Sequence, residues 1–159
     1  MNVQIICVGK MKEKFYMDAA AEYAKRLTPF CRLEIIELPE EKLPADPSPA
    51  LVEAALKKEA VAIRAKLAQG TTTVAMCIEG QTLSSQELAA KVQGWELESV
   101  KGLAFLIGGS FGLDEGLKRE ANLRLSMSPM TFPHHLARVM LLEQLYRAFQ
   151  INKGSPYHK

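Results

Sequence analysis

Leu103-Ala104-Phe105-Leu106-Ile107-Gly108-Gly109-Ser110-Phe111-Gly112 decides how this chain is read. The five apolar residues form a run short enough for a buried strand, and the glycines after it open a loop that leads into a short helical pattern. A second loop, Ser126-Met127-Ser128-Pro129-Met130-Thr131-Phe132-Pro133-His134-His135, follows another strand-like run and opens into a long apolar helix. In open α/β sheets, ligands sit beyond the carboxyl ends of strands. The two loops are therefore expected to hold one small cofactor between them.

Outward from this stretch the pattern repeats. Val3 to Val8 is an apolar, β-branched run ended by Gly9, and Glu13 to Leu27 carries Phe15, Ala19, Tyr23 and Leu27 on one helical side until Thr28-Pro29 stops it. Leu33 to Leu38 reads as a second strand. Pro39 to Pro49 holds four prolines and reads as an exposed loop inside one domain. Ser48 and Pro49 suit a helix start, and that helix is expected to run to about Gln69, with Gly70 ending it.

Thr72 to Ile78 is the third strand, closed by Glu79-Gly80. Ser84 and Glu87 have capping-box spacing for a helix reaching about Val100. After the Leu103–Ile107 strand come a short helix from Leu113 to Ala121, a weak strand from Asn122 to Ser126, and a helix from Pro133 to Asn152. The wide apolar face of this last helix (Leu136, Val139, Met140, Leu142, Leu145, Tyr146, Phe149) suits either burial in the monomer or a dimer interface. Strand and helix thus alternate five times, which implies a single α/β domain over residues 1–159 with a mainly parallel sheet flanked by helices.

Composition excludes several classes. Hydrophobic residues at 48% and charged residues at 24% are ordinary for a globular protein. No apolar run approaches the roughly 20 residues that span a bilayer. The first residues lack the basic and apolar regions of a signal peptide, so a cytoplasmic location is expected. Cys7, Cys31 and Cys77 form no CxxC pair and read as small buried hydrophobes, and no metal site is expected. The formal charge of +2 is too small to establish a nucleic-acid partner. Its distribution says more: Lys10, Lys12 and Lys14 cluster near the start, and Arg138, Arg147, Lys153 and Lys159 face one acid, Glu143, after Thr131.

Three constellations can carry chemistry. The glycine loop lacks the first glycine of G-x-G-x-x-G and the Lys-Ser/Thr of a P-loop. It reads either as a close backbone approach to a ligand or as a plain tight turn. The second loop interleaves Ser128 and Thr131 with Met127, Pro129, Met130 and Phe132. Such an apolar loop is packed into the core or lines a pocket, and exposed backbone groups over an apolar floor suit an adenine ring. His134 and Arg138, four residues apart, share one helix face, placing a titratable ring beside a fixed cation. His134, His135 and His158 are candidates for proton transfer, with a surface or capping histidine as the plainer reading of each. The tail from Gly154 to Lys159 is short and polar, with Tyr157 offering a stacking face, although termini usually fray.

Val8-Gly9-Lys10-Met11-Lys12-Glu13, Ile107-Gly108-Gly109-Ser110-Phe111-Gly112-Leu113, Met130-Thr131-Phe132-Pro133-His134, Glu143-Gln144-Leu145-Tyr146-Arg147-Ala148 and Pro156-Tyr157-His158-Lys159 together resemble the RlmH family of SPOUT-class ribosomal RNA large-subunit methyltransferases. The resemblance spans essentially the whole chain. It implies a SPOUT-type α/β sheet whose C-terminal part forms a trefoil knot, which chain-threading rules alone would argue against. It implies S-adenosyl-L-methionine as cofactor, contacted by Met76, Gly108, Met127, Ser128, Pro129, Met130, Thr131 and Phe132. This cofactor has no phosphate, in keeping with a glycine loop that lacks a phosphate signature. The implied reaction is N3-methylation of a pseudouridine in the helix 69 loop of 23S ribosomal RNA, within the assembled ribosome. The implied enzyme is a homodimer whose second subunit completes the site. His134 or His158 would take the N3 proton, and Arg138 and Tyr157 would hold the RNA. Two competing readings are a nicotinamide-dependent oxidoreductase, which lacks its glycine fingerprint here, and a non-catalytic ribosome-binding protein.

Overall fold

A computed structural model describes residues 1–159. The elements in chain order are β1 (Asn2–Val8), α1 (Lys14–Leu27), β2 (Arg32–Leu38), α2 (Pro49–Lys66), β3 (Thr72–Thr82), α3 (Ser85–Leu97), β4 (Leu103–Ile107), α4 (Glu115–Glu120), β5 (Leu123–Ser126) and α5 (His134–Asn152). The sheet has five strands in the order β2-β1-β4-β3-β5, and every pairing is parallel. Every strand therefore delivers its carboxyl end to the same edge of the sheet, where the expected site lies.

The central strand β4 is buried at all of its positions, from Leu103 to Ile107. Its alternating side chains serve two cores, as parallel sheets covered on both faces require. Leu103, Phe105 and Ile107 join Val3, Ile5 and Cys7 beneath α1, α3 and α5; Ala104 and Leu106 join Ile6 and Val8 beneath α2 and α4. α5 lies between α1 and α3 and has no exposed residue from His134 to Asn152. Leu142, Leu145 and Phe149 are buried, whereas Leu136, Val139, Met140 and Tyr146 are half-buried.

Two helix starts follow the expected capping chemistry. The Ser48 hydroxyl accepts the Leu51 N–H, with Pro49 at the first helical position. Ser84 and Glu87 form a reciprocal capping box, at 3.2 and 2.7 Å. The stops are less regular. α2 ends at Lys66, short of Gln69, because Leu67 adopts extended backbone (φ −69°, ψ 126°). Gly70, at φ +78°, serves the turn after it. α3 ends at Leu97, short of Val100, where Ser99 turns left-handed at φ 55°. Asp114 caps α4 from outside its first turn, accepting the Leu117 N–H at 3.1 Å.

The largest departure from the sequence reading is β3. It does not close at Glu79-Gly80 but runs on to Thr82, re-pairing with β5 at Gln81↔Leu125 and Thr82↔Ser126 after a register shift. Gly80 makes this passage sterically possible. A Cβ there would sit 2.8 Å from backbone atoms of Arg124 and Leu125, closer than any side chain permits. No helix is long and apolar enough to cross a membrane.

Candidate active site

A cavity of about 660 Å³ opens at the carboxyl ends of β3, β4 and β5, within the usual range for a small-molecule site. β3 supplies Met76 through Glu79 to its wall. Gly108 through Leu113 form a second wall, and the loop before α5 forms the third. Of the residues expected to touch a cofactor, Met76, Gly108, Met127, Ser128, Met130, Thr131 and Phe132 line the cavity, and Pro129 stands outside the lining. His134 is at its margin.

The glycine wall is tight by construction. Gly112 N–H donates to the Gly109 carbonyl at 3.1 Å, and its φ of +79° suits glycine. A Cβ on Gly108 would lie 2.2 Å from the Gly112 carbonyl oxygen, so the two ends of the turn touch backbone to backbone. The third wall is braced internally. Ser126 Oγ donates to the Ser128 carbonyl at 3.0 Å, and the Met130 N–H donates to Ser128 Oγ at 3.0 Å. This loop is only partly packed into the core: Met127 packs against it while also lining the cavity, and Met130 is 72% exposed. With Phe111 and Ile78, also exposed, it forms an apolar rim.

The cavity holds one Lys or Arg among its lining residues, Lys118. Its ammonium lies 2.5 Å from Glu79 and 3.1 Å from Glu115. Burial would lower the pKa of Lys118, but these two carboxylates outweigh it and raise it. Lys118 is thus paired, and Arg124 acts on Glu79 from the far side. An apolar-rimmed cavity with close-packed glycine backbone, whose one lining cation is paired with carboxylates, fits S-adenosyl-L-methionine, which carries no phosphate.

The other expected site residues are distributed differently. Arg138 does not face outward beside His134. It is 3% exposed and donates to Glu37 Oε2 at 2.7 Å and to the Gly9 carbonyl at 3.0 Å. The helical spacing to His134 is real, but the guanidinium turns toward β1 and β2, so it braces the site and is not free to hold RNA. Burial alone would raise the pKa of Glu37, but the Met11 N–H and Arg138 hold it below its ordinary value. His134 has its pKa lowered, first by burial and then by neighbouring His135, with Glu40 opposing. It is therefore neutral at pH 7. His135 turns to Glu13, 3.2 Å away.

The tail packs and does not fray. Tyr157 Oη donates to Glu143 at 3.1 Å, its ring lies 4.8 Å from the Arg147 guanidinium carbon, and it packs edge-on against Tyr146. His158 bridges Gln86 at 2.8 Å and Arg147 at 3.2 Å. Neither Tyr157 nor His158 lines the cavity of its own chain. Sequence reading missed Glu79, Lys118 and Glu40. Only the Glu115–Lys118 helical spacing offered any hint of them.

Comparison with known proteins agrees with this geometry. The chain matches the family described as "Predicted SPOUT methyltransferase" over residues 1–158. The chain belongs to the SPOUT methyltransferase family. It is 50% identical over 159 residues to Ribosomal RNA large subunit methyltransferase H of Bifidobacterium animalis subsp. lactis, covering 100% of both chains. It is 45% identical, again over 100% of both chains, to the protein of that name from Streptococcus equi subsp. zooepidemicus. SPOUT methyltransferases take their methyl group from S-adenosyl-L-methionine. The fold is also similar to a probable methylase family protein from Haemophilus influenzae Rd KW20, at TM-score 0.55 and 14% identity, covering 99% of this chain and 70% of that one. A probable methyltransferase from Bordetella pertussis Tohama I gives TM-score 0.54 at 16% identity, covering 93% and 96%.

Proposed function

We propose that this protein methylates N3 of a pseudouridine in the helix 69 loop of 23S ribosomal RNA, using S-adenosyl-L-methionine and acting in the cytoplasm on assembled ribosomes. The observation that carries this reading is the three-walled cavity, which gathers Met76, Gly108 and most of the 127–132 loop at one edge of the sheet. Family membership supplies the methyl donor, and the full-length relatives supply ribosomal RNA as the substrate class.

When bound, the cofactor supplies a methyl carbon on a cationic sulfur. Held between these walls, it would supply that methyl to N3 and keep the electron pair of the S–C bond on sulfur. The chain's own contribution begins with position. The Gly108–Gly112 turn and the braced 126–130 loop fix the donor's walls, so most of the acceleration comes from alignment. The N3 proton goes to His134, whose burial keeps the ring neutral and able to accept it; such transfer contributes typically 10²–10⁴-fold.

The protein acts as a homodimer with its C-terminal part knotted. Membership of the SPOUT family supports the knot. The position of Tyr157 and His158 away from their own cavity supports a site completed by the second subunit's tail. A dimer's doubled basic surface would recognise a folded ribosomal surface by shape. The test is methyl transfer from labelled S-adenosyl-L-methionine to ribosomes lacking this modification, with the product nucleoside identified by mass spectrometry. Label on N3 of a helix 69 pseudouridine is expected; intact protein that leaves ribosomes unlabelled overturns the reading.

A further inference from the structure

Glu40 lies in the proline-rich segment after β2, a region that showed no functional motif. One of its oxygens, Oε1, accepts the Ser110 N–H at 2.8 Å. A Cβ on Gly109 would approach the same oxygen to 2.6 Å, so the carboxylate lies directly against the glycine wall. Its other oxygen faces Gly9. A Cβ on Gly9 would sit 3.9 Å from Glu40 Oε2 and 3.5 Å from His134 Nε2. Carboxylate and imidazole thus flank one small space, which Gly9, at φ +97°, keeps open.

The segment is anchored from behind. Glu59 of α2, only 7% exposed, accepts the Glu41 N–H at 2.9 Å. This buried carboxylate has no place in the methyl-transfer step, and holding the residue next to Glu40 accounts for it. The charged groups around His134 come from three elements: His135 and Arg138 on α5, Glu13 before α1, and Glu40 after β2. Glu13 is engaged with His135, and Arg138 with Glu37 and Gly9. Glu40 is therefore the acid whose second oxygen is left to act on His134.

We propose that Glu40 is a positioning residue for methyl transfer: one carboxylate oxygen holds the glycine wall through Ser110, and the other, across Gly9, presents its negative charge to His134. This rests on the reading of the cavity as the methyl-donor site and of His134 as the proton acceptor. It couples the two halves of the reaction, because the same side chain sets the donor's wall and the acceptor's basicity. It also fixes the electrostatic sign at His134: an acid across Gly9 opposes the effect of burial, so the ring accepts the N3 proton more readily than burial alone allows.

Two near-isosteric variants separate the roles. Glu40→Gln keeps an acceptor for Ser110 and removes the charge. Calorimetry should show S-adenosyl-L-methionine binding within about twofold of wild type. The His134 titration, read by NMR on the cofactor-free protein, should move down by about half a unit to one and a half units for a unit charge at this range. The methylation rate on ribosomes at neutral pH should fall with the lost basicity, by at most about 3- to 30-fold, and the acid limb of its pH profile should shift down with the titration. Glu40→Asp keeps the charge but loses reach to Ser110; cofactor binding should weaken several-fold while the His134 titration moves less. An unchanged His134 titration in Glu40→Gln, or equal effects of the two variants on binding and titration, overturns the proposal. The NMR titration needs neither cofactor nor ribosome. A wild-type protein that fails to bind the cofactor would therefore refute the proposed function without touching the Glu40–His134 arrangement.

Discussion

Gly108→Ala adds one methyl group where the structure has no room for it. The new Cβ would lie 2.2 Å from the Gly112 carbonyl oxygen, 2.3 Å from its carbonyl carbon and 2.8 Å from its Cα. All three neighbours are backbone, so no side chain can rotate away, and relief requires the turn itself to open by roughly 1 Å. That opening breaks the 3.1 Å Gly112-to-Gly109 hydrogen bond, costing about 1 kcal/mol. Overpacking adds about 1–3 kcal/mol. The sum, about 2–4 kcal/mol, corresponds to a Tm lower by about 4–16 °C for a domain of this size. The same opening moves a cavity wall, so S-adenosyl-L-methionine affinity should fall more than tenfold, which is more than about 1.4 kcal/mol. Gly94→Ala is the matched control. A Cβ there meets nothing within 4 Å, and a helix-interior alanine should stabilise by about 0.5–1 kcal/mol with binding intact. The assay is paired: thermal denaturation followed by circular dichroism, and calorimetric titration with cofactor at a temperature where each variant is folded. A Gly108→Ala protein with wild-type Tm would show that the turn is not closed as described. Lowered Tm with wild-type affinity would remove this loop from the cofactor site.

Three further outcomes are expected. Arg138→Met should destabilise by about 2–3 kcal/mol, below the full range for a buried pair because Glu37 is one-third exposed. The lowered pKa of Glu37 contributes stability above its unfolded value of 4.5 that is lost as pH falls through the folded value. The difference between the two proteins in urea denaturation should therefore shrink below about pH 4.5, and a constant difference would refute the pairing. Deleting Tyr157 to Lys159 removes the Glu143 and Arg147 contacts, so Tm should drop by only a few degrees while ribosome methylation falls more than tenfold; unchanged turnover would exclude the tail from the reaction. Because burial and His135 hold His134 below 6.5, methylation should keep its plateau rate as pH falls through 6.5 and decline only below it; an acid limb centred above 6.5 would exclude His134 as the base.

Much of the scaffold was legible because it is locally encoded. β4 has the bounds read from its apolar run, since a strand buried on both faces tolerates nothing else there. The caps at Ser48 and Ser84 obey chemistry set within three residues. β3 was read too short for the opposite reason. Gly80 looks like a stop until the backbone of β5, more than forty residues later, passes within touching distance. Arg138 failed in the same manner. Its spacing from His134 correctly predicts a shared helix side, but its destination is set by Glu37, 101 residues away. No pattern in a window of one helix contains that pairing.

The division between legible and illegible residues follows the chemistry of the site. The cavity walls come from loops whose glycines and apolar residues are unusual in themselves, so Gly108 and the 127–132 loop declare themselves in sequence. The polar groups that tune the site do not. Glu40, Glu79, Glu115 and Lys118 are ordinary charged residues on three different segments, and only folding brings Glu79 to Lys118 and Glu40 to Ser110. A methyl donor needs shape above all, since it brings its own reactive charge; the acceptor needs a proton removed at the right moment. Shape is therefore written locally in this chain, and basicity is written in long-range pairs. The tail extends the argument. Tyr157 and His158 are held by Glu143, Arg147 and Gln86 outside their own cavity. In the homodimer proposed above, the tail that reaches the reacting nucleotide would be the second subunit's, a pairing that no window of one chain's sequence contains.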